Sequence, residues 1–60
     1  MVRSHVIEID GMFVAGAVEL AGLVRIIAVD PRVEPLDHST WPTVKAARAA
    51  VVRRLRPTSR

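Results

Sequence analysis

The sequence predicts an α+β fold: a three-stranded antiparallel meander (β-β-β) followed by one C-terminal helix packed on one sheet face. Three observations carry this. The turn dipeptides Asp10-Gly11 and Ala21-Gly22 cut the first half of the chain into three apolar runs of strand length. The pairing registers implied by the two turns agree on which residues share a face. A final run rich in Ala and Arg repeats its apolar positions at helical spacing.

The first strand is expected over 3–9. Asp10-Gly11 then supplies the positive φ angles that a two-residue type I′ turn requires. Across this turn Ile9 faces Met12, Glu8 faces Phe13, Ile7 faces Val14 and Val6 faces Ala15. The second strand is expected over 12–20 and the third over 23–29, joined at Ala21-Gly22. Here Leu20 faces Leu23, Glu19 faces Val24, Val18 faces Arg25 and Ala17 faces Ile26.

Opposed residues share a side of a sheet. One face therefore collects Ile7, Val14, Val18, Leu20, Leu23 and Ile27, with Arg25 as a misfit that snorkels to water at the rim. The other face collects Val6, Phe13, Ala15 and Ala17 with Val24, Ile26 and Ala28, and carries Glu8 and Glu19 toward its ends. Both faces are apolar. A sheet apolar on both sides is covered on both sides.

Residues 30–42 form the loop to the helix. Asp30-Pro31 ends the third strand, because Pro cannot donate to a ladder. The helix is expected over 43–56, "TVKAARAAVVRRLR". Thr43 caps its N-terminus, with Thr40 the competing cap. Val44, Ala47, Val51 and Leu55 form its apolar stripe, which is assigned to the Ile7/Val14/Ile27 face, where Gly16 lets it approach closely. Trp41 plugs one end of this core, and Pro57 stops the helix.

Sixty residues make a single small domain, here read as spanning 1–60, with no Cys to staple it. Association is then the expected source of further stability. The helix accounts for one sheet face. The other is assigned to a partner, with Val6, Phe13, Ala15, Ala17, Val24, Ile26 and Ala28 as its interface. The function expected on these grounds is a non-enzymatic protein–protein interaction module. It forms a homo-oligomer or docks on a larger protein complex.

Charge supports a second reading. The formal net charge is +3, and all six acids precede the helix. Lys45, Arg48, Arg53, Arg54 and Arg56 lie on the helix. The alternative function is a dimeric nucleic-acid-binding regulator that presents these cations to phosphates. The plainer account of Arg53, Arg54 and Arg56 is complementarity to the helix dipole.

A membrane span over 11–29 is the third reading, and two residues count against it. Glu19 and Arg25 lie inside the segment, each costing ~3 kcal/mol near a helix centre. No basic, apolar and cleavage-site sequence follows Met1, so a cytoplasmic location is expected.

Catalytic and metal chemistry find no pattern. Asp30, Asp37 and His38 lack the spacing of a zinc site, and no cofactor motif is present. Ser4, Ser39 and Ser59 have no nucleophile context. The three Gly are isolated, so no phosphate loop exists.

Overall fold

The computed structural model describes residues 2–56 and has the expected α+β architecture. Strands β1 (Arg3–Ile9), β2 (Met12–Leu20) and β3 (Leu23–Ala28) form an antiparallel meander. A 3-10 helix (Pro31–Leu36), a two-residue strand β4 (Thr40–Trp41) and helix α1 (Val44–Leu55) follow. The sheet order is β1-β2-β3-β4, with β4 antiparallel to β3. The helix stop expected at Pro57 lies outside the described residues.

Both hairpin turns have the backbone their dipeptides demand. Asp10 and Gly11 have φ of 53° and 79°, and Ala21 and Gly22 have 56° and 79°. Positive φ at both central residues matches the right-handed twist of the flanking strands. The β2–β3 register is the one the second turn dictates: Leu20 opposes Leu23, Val18 opposes Arg25 and Ala17 opposes Ile26.

The β1–β2 register departs from expectation after two pairs. Ile9 opposes Met12 and Glu8 opposes Phe13, but Ile7 opposes Ala15 rather than Val14. Val14 is the extra residue of a β-bulge. Its side chain and that of Ala15 are both buried. Every residue of β1 before Glu8 is thereby shifted by one against β2, so Ile7 joins Ala15, Ala17, Val24 and Ile26 on one face.

Helix α1 packs on that face, touching all four strands and the 3-10 helix. This corrects the sequence assignment, which put the helix on the side of Val18 and Ile27. The core is Ile7, Val14 and Ile26 from the sheet, Val33 from the 3-10 helix, and Ala47 and Val51 from α1. Small side chains set the contact: Ala15 and Ala17 lie beneath a helix whose buried positions are Ala47, Ala50 and Val51. The Ala stripes allow close approach. Gly16 lies on the opposite side of the sheet and has no part in it.

Residues 30–42 are more structured than a plain loop. The Asp30 carboxylate accepts from the Arg32 N–H at 2.8 Å and so caps the 3-10 helix. Asp37 Oδ1 accepts from the Ala28 N–H at 2.9 Å and takes the place of a ladder partner at the end of β3. The Ile26 N–H donates to the Ser39 carbonyl at 2.9 Å, which brings the chain back beside β3. The Ser39 hydroxyl donates to the Leu36 carbonyl and accepts from Trp41 Nε1. These bonds seat Trp41 against the core as expected. Thr43 is the cap of α1: its hydroxyl oxygen accepts from the Ala46 N–H at 3.0 Å.

Candidate interaction surface

With α1 on one side, no described element covers the other side of the sheet, termed the open face. Alternation along the strands places Ser4, Val6 and Glu8 of β1 there, with Phe13, Gly16, Val18 and Leu20 of β2. From β3 come Leu23, Arg25 and Ile27, and from β4 Thr40. Val6 is 64% exposed and Phe13 50%, while Leu20, Leu23 and Ile27 are also exposed. Val18, Leu20, Leu23, Arg25, Ile27 and Thr40 line a shallow depression of about 400 Å³ at one end of this face.

The seven residues assigned from sequence to a partner divide between the two sides. Val6 and Phe13 stand on the open face. Ala15, Ala17, Val24 and Ile26 are buried beneath the helix and the elements beside it, and Ala28 is half-buried against the same core. The bulge at Val14 and the placement of α1 are the physical causes. The open face is completed by Val18, Leu20, Leu23 and Ile27, which sequence reasoning assigned to the helix side.

Arg25 was the available signal. A cation in the middle of an apolar stripe is costly beneath a helix and tolerated on a face open to water. The Ala content was the second signal. A sheet face carrying Ala15 and Ala17 matches an Ala-lined helix better than does one carrying Leu20, Leu23 and Ile27.

Two charges stand on the strands of the open face, Glu8 and Arg25. Among the described residues neither has an ion-pair partner. The other sheet charges lie elsewhere. His5 Nε2 is hydrogen-bonded to Glu19 Oε2 on the helix side, at the sheet end away from the Asp10-Gly11 turn. Asp30 is paired with Arg32 through two side-chain contacts of 3.1 and 2.8 Å. The Arg32 side chain and N–H together hold the Asp30 carboxyl down to about 2.

The helix cations are exposed. Arg53, Arg54 and Arg56 border a groove with Leu36, Trp41 and Ala50. Arg48 borders a second groove beside Ile9, Asp10 and Leu55, and Arg56 borders both grooves. Lys45 is exposed in the first turn of α1. Asp37 and His38 approach to 3.3 Å, and Asp30 is engaged with Arg32, so Asp30, Asp37 and His38 have local structural partners.

Among the described residues no helix is long and apolar enough to cross a membrane. No family model matches this chain, and no curated protein or solved structure matches it either.

Proposed function

We propose that this chain is a small, non-enzymatic protein–protein interaction module that docks through the open face of its sheet. The observation that carries the reading is the composition of that face. An antiparallel sheet with one side on a core ordinarily alternates apolar-in and polar-out. Here the outward side carries Val6, Phe13, Val18, Leu20, Leu23 and Ile27, most of them exposed. A contiguous apolar patch on a small domain marks an interaction site. The nucleic-acid reading has less support, because Arg53 and Arg54 in the last turn of α1 are accounted for by the helix dipole.

Site-specific photo-cross-linking in the expressing cell tests this reading. A photoreactive residue replaces Val18 on the open face or Lys45 on the helix. The reading expects discrete protein adducts from position 18 and none from position 45. Adducts from position 45 with none from position 18 contradict it.

A further inference from the structure

The geometry points to a second copy of this chain as the occupant of the open face, related by a two-fold axis that passes over Gly16. This rests on the docking reading above and names its partner.

An isologous interface must be self-complementary: whatever residue meets its partner does so twice. The two charges of the open face satisfy that condition. Gly16 pairs with Val6 on β1 and with Ile27 on β3. Glu8 lies two residues beyond Val6 on β1, and Arg25 lies two residues before Ile27 on β3. Both outer strands run the same way, so Glu8 and Arg25 are diagonal neighbours of Gly16 in opposite directions. With strands ~4.8 Å apart and a rise of ~3.3 Å per residue, each Cα is ~8 Å from that of Gly16.

A two-fold axis in the plane of the interface, perpendicular to the Glu8–Arg25 diagonal, lays Glu8 of each copy over Arg25 of the other. The same operation brings Val6 over Val18 and Phe13 over Ile27. The strands of the two sheets then cross at ~70°, near the orthogonal class of sheet packing. The apolar pairs supply the burial, while the two ion pairs fix register and orientation.

Gly16 is the second observation. A Cβ at this position would meet the His5 carbonyl oxygen at 3.8 Å and the Ile27 Cβ at 4.0 Å, both ordinary contacts. Its φ is not in the left-handed region. Among the described residues nothing therefore requires glycine here, and glycine weakens a strand interior. At the centre of a two-fold interface it meets its own copy, and the missing side chain lets the sheets approach.

Charge reversal tests the symmetry as well as the contact. Glu8→Arg gives a copy with two cations on the face, and Arg25→Glu gives one with two anions. Each variant alone sets like charges together twice and should self-associate at least about tenfold more weakly than wild type. Mixed one to one, the two variants pair Arg with Glu at both positions. The mixture should recover a species of two chains, containing one of each, by native mass spectrometry and light scattering. Both exchanges lie on exposed strand positions, and far-ultraviolet circular dichroism checks that each variant keeps its fold.

Single variants that associate as wild type does, or a mixture that gives no mixed dimer while wild type does, overturn the two-fold arrangement. A wild-type chain that stays single while position 18 cross-links to a different protein overturns the second copy and leaves the docking reading standing. A chain that stays single and gives no adduct at position 18 overturns both.

Discussion

Ile26 and Ile27 are neighbours in β3 and belong to different surfaces of the molecule. Ile26 is 0% exposed beneath the helix, and Ile27 is 37% exposed on the open face. The pair separates folding from association. Ile26→Ala removes a fully buried side chain and should cost ~2–5 kcal/mol. That is comparable with the whole stability of a chain this small, about 0.1 kcal/mol per residue. Ile27→Ala should change the stability of the dilute chain by less than ~0.5 kcal/mol, while weakening its self-association. Urea unfolding at low protein concentration checks the first effect, and light scattering the second.

Ala21 stands at φ 56° in the β2–β3 turn, where a Cβ is disfavoured. Asn at this position gives the Asn-Gly dipeptide that type I′ turns prefer. Ala21→Asn should raise stability by ~1 kcal/mol without altering the sheet register. Thermal unfolding of the two proteins side by side checks this.

Gly16→Val places a β-branched residue in a strand interior on the open side. The dilute single chain should be as stable as wild type or more so, because Val suits a strand and Gly does not. Self-association should fall, since the added side chains collide at the two-fold axis. Urea unfolding of the dilute protein checks the first effect, and sedimentation velocity over a concentration series checks the second.

Asp30 gives the chain a specific acid dependence. Its carboxyl is held at about 2 by the hydrogen bonds from the Arg32 side chain and N–H. A folded-state pKa below the unfolded value stabilises the fold above about pH 4, and this contribution is lost as pH falls through about 2. Asp30→Asn should remove that part of the pH dependence between about pH 4 and pH 2 and leave the slope above it unchanged. Urea midpoints measured across this range check the prediction.

The fold was legible because its signals are local. Asp10-Gly11 and Ala21-Gly22 fix two turns and the pairs beside them, Thr43 fixes the start of α1, and the spacing of Ala47 and Val51 fixes its buried stripe. The bulge was not legible. Val14 and Ala15 read as ordinary alternation, and either register keeps apolar residues opposite apolar residues. The 3-10 helix was hidden for a similar reason. Its stabilising bonds run from Asp30 and Asp37 to backbone groups, and such side chains serve turns of many shapes.

One slipped register carried into the site. It kept Phe13 and Val6 on the docking face but placed Ala15, Ala17 and Ile26 beside them. It also placed Val18 and Ile27 beneath the helix. The residues that resolve the choice are Arg25, which is ill suited to a core, and the Ala stripes of sheet and helix, which fit each other. Each is a relation between distant segments, which pairing arithmetic does not weigh.

Solvent accessibility of individual methyl groups tests the central claim most directly. A soluble nitroxide attenuates the methyl resonances it reaches, and isotope labelling resolves Ile26, Ile27 and Val18. The account predicts that Ile26 is protected at every protein concentration. It predicts that Ile27 and Val18 are attenuated in dilute solution and become protected as concentration rises and the second copy covers them. Attenuation of Ile27 and Val18 unchanged up to millimolar protein, or attenuation of Ile26 with protection of Ile27, would contradict it.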